Sequence, residues 1–203
     1  MSASRKTRLL DREKNGVVEA TLVEEIVRDR LIQVHIDWQP VRLEGVKRAI
    51  AKGGKVPEHW HWDWSQKADK LALLAYQCLG IEYEGQMQGL MMVSTLGRRS
   101  RIASQAAKPV LYIEYIESAP WNLADIVDKP RFSGVGNALL EAAIHFSDGE
   151  GFGGRLGLHS LPQSEQFYRR FMSDLGIDKN KEGLRYFEMT PEQAQTFLEG
   201  RER

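Results

Sequence analysis

Two glycines stand at the mouth of a helical pattern in the stretch RFSGVGNALLEAAIHFS, which runs from Arg131 to Ser147. Apart from proline, glycine is the residue that helix interiors favour least, so Gly134 and Gly136 mark a tight turn rather than a helical start of ordinary composition. Upstream lies PVLYIEYIESAP, rich in β-branched and aromatic residues with an alternating opening, which reads as a strand. Downstream, Ala138, Leu139, Ala142, Ala143 and Phe146 recur at helical period and make one apolar face over about 135–146. RLGLHSLP then reads as another short strand. A strand, a helix and a strand in this order require a crossover, so the fold class is α/β with a parallel pair inside a mixed sheet.

The flanks extend this frame. LAYQCLGIEYEG and QMQGLMMVST read as two antiparallel strands with a turn near Glu84-Gly85-Gln86, and the polar loop LGRRSRIASQAAK leads to the strand above. After RLGLHSLP, the stretch QSEQFYRRFMSDLGI predicts a second helix with Phe167, Phe171 and Leu175 on one stripe. GLRYFEMT predicts a last strand, and TPEQAQTFLEG a last helix with Thr190 as its N-cap and Pro191 in first position. Toward the N-terminus, the alternation in LIQVHIDW predicts a first strand, followed by a short helix, VRLEGVKRAIAKGG, closed by Gly53 and Gly54. Residues 1–16 read as a flexible polar lead-in.

Bulk numbers narrow the function. A chain of 203 residues suits a single core. Its 28 basic and 28 acidic residues cancel, which argues against nucleic acid or a membrane surface as a broad partner. Arg98, Arg99 and Arg101 read as a solvated loop. The one cysteine, Cys78, excludes an intrachain disulfide and suits a cytoplasmic setting; its apolar neighbours make it a buried, inert thiol. No apolar run reaches the roughly 18 residues that a membrane span needs.

The glycine turn is where chemistry enters. The first amides of a helix lack intrahelical acceptors and sit at the positive end of its dipole. Glycines let an anion approach the backbone closely. No Gly-Lys-Ser/Thr follows, so the turn is not a Walker-type loop, and Leu139 stands where a dinucleotide fingerprint has its third glycine.

Taken together, PVLYIEYIESAP, RFSGVGNALLEAAI and RLGLHSLPQSEQFYRRF resemble the GNAT superfamily of acetyl-CoA-dependent N-acetyltransferases. That family carries Arg/Gln-x-x-Gly-x-Gly/Ala at a helix start, matched here from Arg131 to Gly136, and an aromatic pair on a later helix, matched by Phe167 and Tyr168. The resemblance covers about 81–190 and implies one GNAT domain over 1–203. Its 17–80 segment would lie on the acceptor side, and 81–190 would form the CoA-binding core. It implies that Arg131, Phe132, Ser133 and Gly134 with the amides of Val135, Gly136, Asn137 and Ala138 hold the CoA pyrophosphate. Ile116, Glu117 and Ser118 would bond the pantetheine arm through their backbone, as an added strand would. Tyr168 would protonate the departing thiolate, and an amide near Glu117 would polarise the thioester carbonyl.

Glu117 or Glu114 would take the proton of the amine; period two puts them on opposite faces, and Glu117 is the preferred choice. Two departures from the family stand out. Leu161 occupies a position where many members have asparagine, with His159 and Ser160 beside it. Gly176-Ile177 follows Tyr168 at a longer distance than usual, which predicts a longer helix. The resemblance further places EHWHWDWSQ over the acceptor cleft, so that Trp60, Trp62 and Trp64, with Trp121 and Asn122 after the strand, would line the acceptor pocket. His59, His61 and Asp63 alternate within the same stretch but lack a distant ligand, so no metal is expected. The expected partners are acetyl-CoA and an amine of unread identity. A homodimer is open, and a non-catalytic acyl-CoA-binding sensor or scaffold is the alternative.

Overall fold

The computed structural model describes residues 5–202. In chain order the elements are β1 (Lys6–Asp11), β2 (Gly16–Val23), α1 (Arg28–Ala51), α2 (Trp64–Lys67), β3 (Tyr76–Tyr83), β4 (Gln86–Ser94), β5 (Leu111–Ser118), β6 (Phe132–Ser133), α3 (Val135–Gly149), β7 (Leu156–Ser160), α4 (Glu165–Tyr168), β8 (Ser173–Ile177), β9 (Arg185–Met189) and α5 (Pro191–Glu202). They form two compact units that interleave along the chain: Met1–Met91 with Ile116–Leu139, and Met92–Tyr115 with Leu140–Arg203. β4, β5 and α3 each run from one unit into the other.

In the first unit the strands lie in the order β6-β1-β2-β3-β4. β1 pairs antiparallel with β2, from Lys6↔Thr21 to Asp11↔Gly16, and on its other edge with β6 through Leu10↔Ser133 and Asp11↔Phe132. The polar lead-in expected at the N-terminus is therefore strand from Lys6 onward. Thr7, Leu9 and Asp11 point inward and the alternate residues outward, a period-two pattern hidden by its polar members. Residues 1–4 of that expected lead-in lie outside the described residues.

The strand expected over LIQVHIDW is instead part of α1. Leu31, Val34, His35, Trp38, Arg42, Gly45 and Val46 are its buried positions, spaced three or four apart, which is helical rather than alternating. Pro40 sits inside this helix. Gly45 lies against Ile126: a Cβ there would meet Ile126 Cγ2 at 2.5 Å. The helix thus packs closely on the chain that follows β5.

The second unit holds the order β5-β7-β9-β8. β5 and β7 are parallel, registered from Leu111↔Leu156 to Ile113↔Leu158. β7 and β9 are antiparallel from Leu156↔Met189 to Ser160↔Arg185. This is the mixed α/β sheet with a parallel pair that the sequence predicts. The long helix expected after β7 is not formed. α4 ends at Tyr168, and Ser173–Ile177 is β8, whose largely exposed residues disguise it as an extension of the helix. Asp174 on this strand is held by Arg185 and Arg169. α5 begins as predicted: Thr190 Oγ1 accepts from the amide of Gln193 at 3.3 Å, and Gln193 Oε1 accepts from that of Thr190 at 3.0 Å. Among the described residues no helix is long and apolar enough to cross a membrane.

Candidate active site

The first unit gathers two groups of candidate site residues. One is the glycine turn. β6 delivers the chain to Gly134, which has φ +90°, a conformation that side chains other than glycine rarely adopt. A Cβ there would meet only Arg8 O at 4.0 Å, so the space over the turn is open. Val135 begins α3, and the amide of Ala138 donates to Gly134 O at 2.9 Å. The amide of Ala138, expected among the anion-binding donors, is thus committed to the helix. Those of Val135, Gly136 and Asn137 come before this first intrahelical donor and have no acceptor within the helix.

Asn137 Oδ1 and Arg131 Nε are buried and make no hydrogen bond. The Arg131 guanidinium forms long ion pairs at 3.9 Å with Glu13, through Nε, and with Glu84, through Nη2. Open space over a positive-φ glycine and the N-terminal amides of α3 form a donor set suited to a phosphate-type anion.

Trp121 and Asn122, expected to line an acceptor pocket, brace this turn. Trp121 Nε1 donates to Gln88 Oε1 at 2.8 Å, and Asn122 Nδ2 donates to Gln88 O at 3.2 Å. Asn122 Oδ1 accepts from the amide of Phe132 at 3.0 Å, and Trp121 O accepts from that of Arg131 at 3.0 Å. Trp38 supports Trp121 edge-on at 6.3 Å.

The second group surrounds Glu117, on β5. Its carboxylate is almost wholly buried. Arg42 Nη2 donates to Oε1 at 2.7 Å, Trp64 Nε1 donates to Oε2 at 2.6 Å, and His59 Nε2 lies 3.6 Å from Oε1. Burial pushes the Glu117 carboxyl up to about 7, against the opposing pull of Arg42, the Trp64 bond and Lys67. Burial likewise lowers His59 to about 4, with the charges of Arg42 and His61 adding to the effect, so its imidazole is neutral at physiological pH.

Of the three tryptophans expected over the acceptor, only Trp60 lines the crevice beside Glu117. Trp62 lends its carbonyl to Arg42 Nη1 at 2.7 Å. Trp64 is fully buried and supports the carboxylate rather than lining a surface. Asp63 is the N-cap of α2, accepting from the amides of Ser65 and Gln66, with His35 Nε2 at 3.4 Å. Arg42 is the residue sequence reading missed. It is a buried arginine on α1 within the mixed stretch QPVRLEG, whose local pattern carries no sign of that burial.

The second unit holds the other predicted residues. Glu114 lies half-buried on β5. Tyr168 closes α4, buried against Phe167 and Phe187 at ring distances of 5.2 and 5.8 Å; burial pushes its phenol up. His159 is committed to Tyr112 Oη at 2.7 Å and Asp178 Oδ2 at 3.1 Å, and Ser160 Oγ donates to Leu161 O at 2.8 Å. Arg101, read as solvated, donates to Asp178 Oδ2 at 2.8 Å.

No protein-family model matches the sequence, and no curated protein sequence is similar to it. Solved structures are similar in fold. The aminoglycoside acetyltransferase AAC(6′)-Ib in complex with coenzyme A and kanamycin superposes with TM-score 0.56 at 15% identity, covering 87% of this chain and 98% of that one. The GNAT domain of S. lividans PAT gives 0.51 at 12% identity, over 91% and 96%. The PaiA N-acetyltransferase of Thermoplasma acidophilum, in complex with coenzyme A, gives 0.50 at 12%, over 85% and 99%. The fold is that of the GNAT acetyltransferases.

Proposed function

With that fold as the premise, we propose that this protein is an N-acetyltransferase that moves the acetyl group of acetyl-CoA directly to a primary amine. The observation that carries the reading is the path from β5 through the glycine turn into α3. There, open space over Gly134 and the first amides of α3 suit a pyrophosphate. The amides of Val135, Gly136 and Asn137 would hold it, with Arg131, Phe132 and Ser133 shaping the approach. Ile116, Glu117 and Ser118 would offer their backbone to the pantetheine arm. Bound acetyl-CoA supplies an activated thioester.

The chain's own residues handle the protons. Glu117, near neutrality, takes one from the incoming ammonium. Moving a proton from a group near 10.4 to one near 7 costs about 5 kcal/mol, a modest part of an enzymatic barrier. Glu114 is the alternative carboxylate. The raised Tyr168 phenol keeps its proton across the physiological range and is suited to give it to a leaving thiolate. Incubation with acetyl-CoA and a panel of amines, following thiol release, tests the reading. Release that depends on the amine supports it.

The second reading, an acyl-CoA-binding module without transfer, is favoured by one observation. Leu161 brings no amide to the site, and the side chains beside it, His159 and Ser160, are already committed. CoA binding without thiol release to any amine would select that reading.

A further inference from the structure

We propose that His59 is the route by which the Glu117 carboxyl exchanges its proton with water; this rests on the acetyl-transfer reading above, in which that group takes up a proton at each turnover and must release it. The carboxylate is closed off. Its side chain is 1% exposed, and the chain packs around it without leaving room for a water molecule. A proton held there therefore leaves through a group that reaches the carboxylate. Arg42 Nη2 and Trp64 Nε1 donate to its two oxygens, and His59 Nε2 stands 3.6 Å from Oε1. A guanidinium keeps its protons and an indole only donates, so neither passes a proton on. An imidazole both takes up and gives up a proton. His59 also reaches solvent: its side chain is 13% exposed, against 6% for Arg42 and 0% for Trp64.

The charges around the imidazole come from Arg42 on α1, His61 on its own segment and Glu117 on β5. Lys67 on α2 acts on Glu117 through its charge, and Asp63 is taken up by the α2 cap and by His35. Nε2 lies about 0.5 Å beyond hydrogen-bond length, so a small turn of the ring closes the contact. The Glu117 O–H bond then breaks as the Nε2–H bond forms, and the imidazolium gives a proton to water. With His59 pushed down to about 4 and Glu117 up to about 7, the transfer runs about a thousandfold uphill. Against an attempt rate of about 6 × 10¹² per second, it is still far faster than a turnover of about 1–10³ per second.

The experiment follows the Glu117 carboxyl carbon by NMR in protein labelled with ¹³C in its glutamate side chains, titrated through pH 7 without substrates. Glu117→Gln, which removes the resonance, assigns it. The wild type should show one resonance that moves continuously with pH, because exchange through His59 is fast. His59→Gln keeps a polar side chain but carries no proton. It should slow the exchange at least about a hundredfold and split the signal into two resonances that trade intensity. His61→Gln, at the exposed neighbour, should match the wild type. A single moving resonance in His59→Gln overturns the relay.

A second measurement needs no variant. At fixed pH the wild-type exchange rate should rise in proportion to phosphate concentration, because the outer step hands the proton from His59 to a base in solution. A rate indifferent to phosphate means that Glu117 meets water only when the fold opens, and overturns the relay. Thiol release to the amine panel, followed on the same proteins, separates the two failures. Exchange that depends on His59 without amine-dependent release keeps the relay and overturns acetyl transfer. Amine-dependent release with exchange that ignores His59 overturns the relay alone.

Discussion

Arg42 on α1 and Glu117 on β5 are 75 residues apart in sequence and meet at 2.7 Å inside the first unit. The pair is almost fully removed from water, with side-chain exposures of 6% and 1%, so it is too buried to be an incidental surface contact. Charges buried this deeply cost more in lost hydration than their attraction readily returns unless further hydrogen bonds hold them. The Trp64 indole and the Trp62 carbonyl provide those bonds.

The first prediction concerns catalysis. Glu117 is pushed up to about 7, and its proton-accepting form is the carboxylate. The rate of acetyl transfer should therefore rise with pH through about 7 and level off above it. Glu117→Gln should lower kcat by roughly 10²–10⁴ and remove that limb. A pH–rate profile of thiol release checks this; a limb near 7 that persists in Glu117→Gln belongs to another group.

Stability should carry the same signature with a definite sign. Glu117 moves from an ordinary value of 4.5 up to about 7 on folding, so between these values the folded state binds more protons and its stability falls as pH rises. His59 moves from 6.5 down to about 4, so over that interval the unfolded state binds more protons and stability rises with pH. Each shift corresponds to at most about 3.4 kcal/mol. Urea denaturation from pH 4.5 to 7 should show Glu117→Gln gaining stability with pH more steeply than the wild type, and His59→Asn gaining it less steeply.

Much of the fold could be read from sequence, and the pattern of what could not is physical. β3, β4, β5, β7 and β9 carry apolar or β-branched runs bounded by turn residues, and α3 keeps a strict apolar face. α1 was hidden because Leu31 to Trp38 alternate by chance and Pro40 breaks the reading just where the helix continues. β8 was hidden by polarity, and β1 by its inward Thr7 and Asp11. Within the site, the glycine turn was local and therefore visible. The carboxylate cluster was not, because Arg42 and Trp64 lie 75 and 53 residues from Glu117 and only the folded chain joins them.

Breaking the pair from either side should be costlier than removing it. Arg42→Met leaves a buried carboxylate without its cation and should cost about 3–5 kcal/mol. It should also raise the Glu117 value further, moving the activity limb to higher pH. The double variant Arg42→Met with Glu117→Leu should recover most of the stability while remaining inactive. Urea midpoints of the four proteins decide it: additive losses would mean that the two residues are not coupled.

The last prediction ties the sheet to the glycine turn. Gly89 on β4 faces the start of α3, and a Cβ there would stand 2.5 Å from Val135 Cγ1 and 3.0 Å from Leu139 Cδ1. Val135 is β-branched and stiff at χ1, so it cannot swing aside freely, and the first turn of the helix has to move. Gly89→Ala should therefore cost about 1–3 kcal/mol and displace the amides that follow Gly134. Gly85→Ala is the control. Its φ of +77° makes alanine strained, yet nothing lies within 4 Å of the new Cβ, so it should lose stability without disturbing the turn. At a hundredfold excess of CoA over its Kd, the wild type and Gly85→Ala should both gain about 2.7 kcal/mol. Gly89→Ala should gain much less at the same CoA concentration. Denaturation of the three proteins with and without CoA measures the difference, and an undiminished gain in Gly89→Ala would mean that CoA is not held at the start of α3.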